Sequence, residues 1–563
     1  MGTISDKLMR IINTKEDIRQ ALISKGYDVP TSIPFKEYAK MISDLPCRVD
    51  SFPDIEGIVA RYSALGLTNE QMVTNPVWVD KTGNGHDLQL KNFSWKGMSG
   101  VGGYGDENHQ TFYKFTLDDY VFIASPPGAK HMNFTFRVTG LQPGNKLTLA
   151  FFGTTNTVYG TWNKDGIYTV DADIVEAGKP TYFYNGYGAT RGEFTIEILP
   201  LYPGALVFDG VDDWAGCDNL PLLPKEKGYS IIALRNWITR YDATQYKRPL
   251  ISNLDTNDEG AFLIEYRKDE NVNDVTGSYN SFTDVYIDDN NPITWQTSSS
   301  YNGQIIKKGT SKSSNKLCIC KTYFGQLSNY ANAAIWEIVI LDHDATEEEL
   351  TKIKDYFVKT YPWLFPDQAW TVTGKTNEDE DRATIANITG NGNDLVLSNF
   401  GFAEGSGYNE EGEYAGYLVT DGVDDKIVSS DFKMGKDFTI VGDWKFIDNK
   451  KSGTGLVKAS SFYIYNTMIG LDLYINSGSV KNSLDGIKSI NAACSDGRNY
   501  DRNWNEILAN TGNVVGSGGI LEVSSSGGRF DRIAFKNLAI YPRILSKDDC
   551  IKAYNYLQTL KAK

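Results

Sequence analysis

One phrase of twelve residues occurs twice in the chain. TGNGHDLQLKNF begins at Thr82 and TGNGNDLVLSNF begins at Thr389, 307 residues later, with nine of the twelve letters unchanged. An internal repeat constrains a fold more than composition does, because each copy must be one structural unit. We therefore expect two copies of the same domain.

Three more pairs of phrases keep the same order along the chain. They are GLTNE at 66–70 with GKTNE at 374–378, LVFDGVDD at 206–213 with LVTDGVDD at 418–425, and the segments 335–357 and 535–557. The separation falls from 307 residues at the twelve-residue phrase to 212 at the DGVDD phrase, so copy one carries about 95 additional residues. The additional residues are expected to form an inserted domain.

Each copy has the sequence pattern of a β-sandwich. The stretch NDLVLSNF at 393–400 alternates apolar and polar residues, as a half-buried strand does. The Asn-Gly pairs at 84–85 and 391–392 favour tight turns with positive φ. Each copy should close with a strand and an amphipathic helix, the helices being capped by Thr346 and Ser546.

The pattern predicts a mainly β fold with four regions. The regions are a helical N-terminal segment at 1–49, a discontinuous sandwich at 50–109 and 204–363, an inserted β-sandwich at 110–203, and a second sandwich at 364–563. About 45 residues of short helices bury little surface alone. The N-terminal segment should therefore be stabilised by a partner, either another subunit in a dimer or trimer or a different protein.

Composition excludes several classes of partner. The formal charge of −15 argues against nucleic-acid binding, which depends on Lys and Arg contacts to phosphate. No run of 18 apolar residues predicts a membrane span, and residues 1–30 lack the apolar core of a signal peptide. The six cysteines show no disulfide or zinc spacing and are interpreted as reduced packing residues of a protein made in the cytoplasm.

These phrases also carry a resemblance to known families. The DGVDD strand start, the TGNGND turn and the closing IYPRILSKDD segment resemble the laminin-G-like branch of the concanavalin A-like lectin/glucanase fold. The N-terminal INTKEDIRQALISKGYDVPTSIPFKEYAKMI looks like the opening of phage tail and fibre proteins. GKTNEDEDRATIANITGNGNDLVLSNF is similar to segments in virion proteins of Bacteroides phages, including crAss-like ones.

The resemblance implies two concanavalin A-like jelly-roll sandwiches in a virion structural protein. Such a protein would be a head or tail fibre, or a capsid decoration, assembled in the host cytoplasm and anchored to other capsid or tail proteins through its N-terminal segment. It would form a homo-oligomer and present its lectin-like domains to host surface glycans. Copy one departs from the family pattern in reading LDHDAT where a Tyr-x-Arg is usual.

The enzyme alternative is a glycan-processing enzyme with accessory lectin modules. Glycoside hydrolysis needs two carboxylates about 5–9.5 Å apart, and the Glu-x-Asp-x-x-Glu pattern of glucanases is absent from both copies. Asp171 and Asp173 are the nearest acidic pair and lie in the inserted region. We therefore expect no catalytic residues, no cofactor and no enzymatic activity.

Glycan binding requires aromatic platforms and polar groups instead. The segment 271–303 is rich in Tyr, Trp, Asn and Ser, and Tyr279, Trp295 and Tyr301 are the candidates for stacking on sugars. The alternative is that these aromatics are strand residues that fill a sandwich. Asp288, Asp289 and Asn290 offer oxygen ligands of the kind calcium takes, but adjacent acids on a turn are common in solvent, and no metal is predicted.

The attachment role of the N-terminal segment is testable by deletion. A variant lacking residues 1–49 should remain soluble and folded, because its β-domains carry their own cores, but it should no longer join particles. Circular dichroism would report folding, and immunoblotting of purified particles would report incorporation. Normal incorporation of the truncated protein would show that attachment lies elsewhere.

Overall fold

The computed structural model describes Lys15 and, apart from internal gaps, residues 52–562. The gaps are 104–111, 116–119, 125–130, 142–144, 152–156, 174–179, 186–193, 224–227, 239–246, 256–261, 268–291, 298–299, 302–303, 306–313, 325–328, 404, 411–413, 449–453, 460–461, 467–469, 476–483, 486–489, 509–516, 524, 527–528 and 531. The chain separates into two compact units, Met1–Asp54 and Ile55–Lys563. Lys15 is helical, and the rest of the predicted helical segment at 1–49 lies outside the described residues.

The described elements are numbered along the chain. Copy one begins with β1 (Ile58–Ser63), α1 (Asn69–Thr74), β2 (Val77–Trp78), β3 (Leu88–Lys91) and β4 (Gly100–Val101). The inserted region forms β5 (Phe112–Phe115), β6 (Tyr120–Ala124), β7 (His131–Thr139), β8 (Leu147–Phe151), β9 (Thr157–Trp162), β10 (Gly166–Asp173), β11 (Pro180–Asn185) and β12 (Phe194–Ile198).

Copy one then resumes. It forms β13 (Leu206–Asp209), β14 (Trp214–Cys217), β15 (Ser230–Trp237), β16 (Lys247–Ser252), β17 (Leu263–Arg267), β18 (Ile293–Thr297), β19 (Ser300–Tyr301), β20 (Gln304–Ile305), β21 (Leu317–Ile319), β22 (Asn332–Leu341) and α2 (Glu347–Thr360). A short 3-10 helix, Pro362–Leu364, follows α2.

Copy two contains the remaining described elements. They are β23 (Gln368–Thr371), β24 (Thr384–Ile385), β25 (Leu395–Ser398), β26 (Gly407–Asn409), β27 (Tyr417–Val419), β28 (Lys426–Met434), β29 (Thr439–Asp448), β30 (Thr454–Ala459), β31 (Phe462–Asn466), β32 (Gly470–Ile475), β33 (Leu484–Asp485), β34 (Ile490–Cys494), β35 (Arg498–Asp501), β36 (Glu506–Leu508), β37 (Ser517–Val523), β38 (Ser525–Ser526), β39 (Arg529–Phe530), β40 (Arg532–Tyr541) and α3 (Lys547–Leu557).

The sheets of the two copies have matching strand orders. In copy one the first sheet runs β20-β19-β18-β15-β22-β13-β4, with β1 also on β22, and the second runs β17-β16-β21-β14-β3-β2. In copy two the corresponding orders are β36-β35-β34-β29-β40-β27-β26, with β23 on β40, and β33-β32-β31-β30-β37-β28-β25-β24. The central order is therefore the same in both copies, and the paired strands are antiparallel.

The central strand of each copy also carries the same irregularity. In the pairing of β15 with β22, the register shifts between Leu234 and Arg235. Opposite β40, the register of β29 shifts between Asp443 and Trp444. A β-bulge re-aims the side chains that follow it, so its retention at one position keeps the inward and outward faces of the two copies alike.

The inserted region forms two four-stranded sheets of its own. Their orders are β10-β7-β12-β5 and β6-β11-β8-β9. Phe136, Leu149, Phe183 and Ile196 are fully buried in its core. Separate apolar cores lie in copy one and in copy two. The prediction of a mainly β fold built from antiparallel sandwiches is confirmed.

The closing helices begin at the predicted caps, Thr346 and Ser546. Thr346 and Glu349 form a reciprocal capping box at the start of α2, and the Ser546 side chain accepts the Asp549 amide at the start of α3. Ile353, Tyr356 and Phe357 of α2 are buried, as expected for the predicted amphipathic helix. None of the described helices is long and apolar enough to cross a membrane.

Helix α3 contacts both copies. The Tyr556 ring lies edge-on to Trp336 of copy one, with ring centroids 6.2 Å apart. The Asn555 side chain donates to the Pro200 carbonyl at 3.1 Å, at the end of the inserted region. Seven of its eleven residues are buried. Such contacts couple the copies because separating them would expose this helix.

Residues Gly103 and Leu201 bring the two ends of the inserted region together. The Leu201 amide donates to the Gly103 carbonyl at 2.9 Å, and the Tyr202 amide donates to the Gly102 carbonyl at 2.8 Å. The inserted region therefore leaves copy one and returns at adjacent points, a geometry that tolerates removal of the segment between them.

We expect copy one to fold without the inserted region. Replacing residues 104–199 by two glycines should preserve a cooperative unfolding transition, measured by urea denaturation followed by tryptophan fluorescence and by circular dichroism. The unfolding free energy of this variant should fall less steeply with urea concentration than that of the full chain, because less surface is exposed on unfolding. Loss of cooperative unfolding in copy one would contradict an independent insertion.

Candidate functional site

The TGNG phrase forms a turn that is fastened to a neighbouring strand. Asp80 Oδ1 accepts the amides of Arg61 at 3.1 Å and Thr82 at 3.0 Å. In copy two Asn387 Oδ1 accepts the Ala369 amide at 3.1 Å. The glycines after the two asparagines have φ values of 82° and 73°, as the Asn-Gly pairs predict. Within the phrase, the Asn84 side chain donates to the Val59 carbonyl of the first strand at 2.9 Å, and the Asn391 side chain donates to the Asp367 carbonyl just before the first strand of copy two at 2.7 Å.

The TNE phrase supplies a side chain that pairs with a strand as a backbone would. Asn69 Oδ1 accepts the Val101 amide at 2.7 Å, and Asn377 Oδ1 accepts the Tyr408 amide at 2.8 Å. The residue before Val101 is Gly100, with φ +137°, where a Cβ would lie 2.6 Å from Asn69 Oδ1. Only glycine permits this approach without displacement.

The DGVDD phrase folds around its first carboxylate. Asp209 Oδ1 accepts the amides of Val211, Asp212 and Asp213 at 2.8, 3.3 and 3.4 Å. Asp213 Oδ2 accepts the Asp209 amide at 3.1 Å. The Asn92 side chain then donates to the Asp212 carbonyl at 3.0 Å, which ties this turn to the end of the TGNG phrase.

Copy two repeats these contacts. Asp425 Oδ2 accepts the Asp421 amide at 2.7 Å, and the Asn399 side chain donates to the Asp424 carbonyl at 2.9 Å. We name the two assemblies turn cluster 1, residues 92–101 and 209–213, and turn cluster 2, residues 399–403, 405–408 and 421–425.

An aromatic pair lies in each turn cluster. The Phe93 and Trp95 rings are stacked, with centroids 4.8 Å apart and planes at 18°. The Phe400 and Phe402 rings are 5.9 Å apart at 31°. All four pack against the core of their copy while remaining partly exposed. Trp95 and Phe402 have positive φ, 59° and 48°, an uncommon conformation for an aromatic residue that is often found at binding sites.

Turn clusters of this composition can bind a hydroxylated ring. An aromatic side chain buries the apolar face of such a ring, and carboxylate and backbone oxygens accept hydrogen bonds from its hydroxyls. Asp212 is an exposed acceptor in turn cluster 1, beside Val211, which is 68% exposed. Beside turn cluster 2 the Arg382 guanidinium lies 5.2 Å from the Phe402 ring centroid, so copy two offers a cation next to its aromatic pair.

Burial perturbs one acid in each turn cluster. Burial raises the pKa of Asp213 to about 7, the adjacent charge of Asp209 adds to this rise, and hydrogen bonds from Ser99 and from the Asp209 backbone oppose it. Burial likewise raises the pKa of Asp425 to about 6. These acids therefore favour the protonated form more than an exposed aspartate does.

Three carboxylates in each turn cluster lie within 4.8 Å of one another. A divalent cation uses such oxygens. Asp209 Oδ1, however, is already the acceptor for three amides of its own turn. The hydrogen bonds therefore explain these acids as turn formers, and they give no support for a metal site.

Two of the three predicted glycan-binding aromatics lie on strands outside the turn clusters. Trp295 is in β18 and pairs with Ile232, and Tyr301 is in β19 and pairs with Gln304, so both belong to strands near one edge of a sheet. Their side chains, and all of Tyr279, lie outside the described residues. Their role as sugar platforms stays a prediction.

The acidic candidates Asp171 and Asp173 also lie on a strand. They are in β10 and pair with Asn133 and His131 of β7. Residues 288–290, considered for calcium, lie outside the described residues.

The sequence did contain a signal for Trp95 and Phe402. Both follow the twelve-residue phrase at the same separation of 307 residues, and both positions are aromatic although the flanking letters change. Reading the repeat two residues further, through KNFSW and SNFGF, would have identified them.

Comparison with known proteins assigns this chain to no family. No protein-family model matches the chain, and no curated protein matches it. Among solved structures, a mutant of Trypanosoma rangeli sialidase displaying trans-sialidase activity is 11% identical, with a TM-score of 0.25 over 41% of this chain and 42% of that chain. The chain thus spans less than half of that structure.

Two further structures give similar values. Trypanosoma rangeli sialidase in complex with sialic acid is 10% identical, with a TM-score of 0.23 over 74% of this chain and 77% of that chain. The botulinum neurotoxin serotype D binding domain is 11% identical, with a TM-score of 0.22 over 62% of this chain and 89% of that chain. TM-scores this low support no conclusion about the ligand or activity of this chain.

The raised pKa of Asp213 predicts a specific pH dependence. Because the folded-state pKa lies above the unfolded value of 3.8, the contribution to stability is full below about pH 4 and is lost as pH rises through about 7. Asp213→Asn should flatten the fall in unfolding free energy between pH 4 and pH 8, each pKa unit corresponding to at most about 1.4 kcal/mol.

Urea denaturation of copy one at several pH values measures this effect. The matched control is Asp212→Asn, a change at the exposed neighbour in the same turn, which should keep most of the wild-type pH dependence because the Asp212 charge is the smallest cause of the raised pKa of Asp213. If Asp213→Asn leaves the pH dependence of the unfolding free energy unchanged, this carboxyl does not titrate between pH 4 and pH 8.

Proposed function

We propose that the protein is a virion structural protein, a head or tail fibre that presents two lectin-like β-domains for adhesion to host surface glycans. Its N-terminal segment would attach it to other capsid or tail proteins, and a homo-oligomer, a dimer or a trimer, would present several copies together. The proposal combines the resemblance to Bacteroides phage virion proteins with the geometry of the turn clusters.

The observation that carries the adhesive part is the aromatic pair beside the acidic turn. In turn cluster 1 the stacked rings of Phe93 and Trp95 remain partly exposed next to the turn formed by Asp209. The turn is held by hydrogen bonds within the chain, so little order would have to be gained on binding. A rigid, partly apolar surface with oxygen acceptors at its edge suits a neutral sugar.

Duplication would strengthen such binding. A single shallow sugar site is weak, and linked sites raise the effective concentration of the second contact. The contacts of α3 with Trp336 and with Pro200 support a fixed spacing between the two copies. A fixed spacing would favour glycans whose repeat matches it, and an oligomer would multiply the number of sites.

The alternative is a glycan-processing enzyme. A carboxyl with a raised pKa beside a second carboxylate is the arrangement of a glycosidase acid. Asp213, however, is fully buried, and Asp209 is engaged by the amides of its own turn. These contacts favour a structural role for the pair and therefore favour binding over hydrolysis.

Glycan-array binding tests the proposal. Biotinylated protein assembled on streptavidin should bind a subset of Bacteroides surface polysaccharides, and Trp95→Leu should weaken binding by at least tenfold because central aromatic contacts dominate small interfaces. Leucine retains apolar packing against the core and removes only the flat ring face. Release of reducing sugar from the bound glycans would instead indicate the enzyme.

Two further variants locate the site. Trp295→Ala tests the edge strand, and Val158→Ala, at an exposed position of the inserted region, is the matched control and should bind as the wild type does. Loss of binding in Trp295→Ala alone would move the site from turn cluster 1 to the edge of the first sheet. If the multimeric wild type binds no surface glycan, the adhesive role fails and only the structural role remains.

A further inference from the structure

The outer face of the second sheet of copy one carries an aromatic surface beside strand β14. In this strand, Ala215 and Cys217 belong to the apolar core of the sandwich. Because successive residues of a strand point to opposite sides, Trp214 and Gly216 lie on the outer face. Lys91 of β3 pairs with Trp214 and is exposed, so it lies on the same face.

Two aromatic rings meet on this face. The Trp214 and Phe324 rings lie edge to face, with centroids 5.7 Å apart and planes at 90°. A Cβ at Gly216 would lie 2.7 Å from a Trp214 ring carbon and 3.1 Å from a Phe324 ring carbon, so glycine lets both rings lie close to the strand. Both aromatic residues are partly exposed. Together they give the face an accessible apolar surface.

Two ammonium groups flank these rings. Lys321 Nζ lies 4.1 Å from the Trp214 ring centroid, and Lys316 Nζ lies 5.1 Å from that of Phe324. A cation over an aromatic face is attracted by the electrons of the ring. Lys316 also approaches the exposed Asp218 carboxylate at 3.9 Å. The surface is therefore both aromatic and positively charged, although the whole chain has a formal charge of −15.

Lys321 is a buried cation that pairs with no carboxylate among the residues the structure describes. It is 7% exposed, and its Nζ donates to the Phe324 carbonyl at 3.4 Å. Burial lowers the pKa of Lys321, because loss of water disfavours the ammonium form. Buried charges in proteins are ordinarily paired. An anion bound beside Lys321 would supply this partner.

We propose that this face binds an acidic sugar. The sugar ring contacts Trp214 and Phe324, and its carboxylate binds the ammonium group of Lys321. Lys316 and Lys91 add positive charge at the edge of the site. An apolar ring face together with a carboxylate is the combination that a uronic acid presents to such a surface. The site is separate from the turn clusters, and its binding does not depend on the proposed function.

The test compares two forms of one ligand on the full chain. Oligogalacturonate carries a carboxylate on each ring, and its methyl ester is the neutral counterpart. Isothermal titration calorimetry should show at least tenfold tighter binding of the acid, and added NaCl should reduce the difference because salt screens the lysines. Equal affinity for the two forms, or no binding of the acid, would overturn the proposal.

Three variants locate the carboxylate. Lys321→Met keeps an apolar stem against Trp214 and removes the ammonium, so it should weaken binding of the acid at least tenfold and leave binding of the ester unchanged. Lys354→Gln, the matched control, removes the same charge at an exposed position of α2 and should bind as the wild type does. Lys316→Gln, at a more exposed position, should weaken binding by a smaller factor and decides the matter if Lys321→Met fails to fold.

Three results with these variants would contradict the proposed site. Equal losses in Lys321→Met and Lys354→Gln would show a general effect of charge. Loss of acid binding in Trp95→Leu, with Lys321→Met unchanged, would place the acid at turn cluster 1. A changed oligomeric state of Lys321→Met with unchanged acid binding, measured by light scattering, would show that this face is a contact between copies of the chain.

Discussion

Backbone amides outside the sheet ladders need other hydrogen-bond acceptors, and at the turns of this protein side chains in or beside the repeated phrases supply them. Regular strands satisfy their own amides, but the turns at the end of each sandwich do not. Asp80 and Asp209 serve the turns of copy one, and Asn387 and Asp421 serve those of copy two. An apolar replacement at Asp80 or Asn387 would remove the acceptor of a buried amide, that of Arg61 or of Ala369, and should therefore be costly.

The two copies differ at buried positions that more than one combination of side chains can fill. In copy one the buried Arg61 guanidinium lies 3.3 Å from Glu337, which also accepts a hydrogen bond from Tyr361 at 2.8 Å. The equivalent strand positions in copy two are Ala369 and Asn537, so a charged pair is replaced by a small and a neutral residue. Buried ion pairs and neutral packing are often of similar stability, and such a site can therefore diverge.

Local signals predicted the local structure. Alternation identified strands such as β25, Asn-Gly identified the turns, and Thr346 and Ser546 marked the helix starts, because each depends on neighbouring residues only. The repeat predicted the duplication and the insertion.

Long-range contacts could not be predicted in this way. The approach of Tyr556 to Trp336 depends on how elements pack after they form. The burial that raises the pKa of Asp213 has the same origin.

Hydrogen–deuterium exchange with and without a glycan that the protein binds tests the central claim, that ligands contact the repeated turn clusters. The amides of residues 92–101 and 209–213, and their counterparts in copy two, should exchange more slowly in the complex. Slower exchange confined to residues 292–305, with both turn clusters unchanged, would contradict the claim.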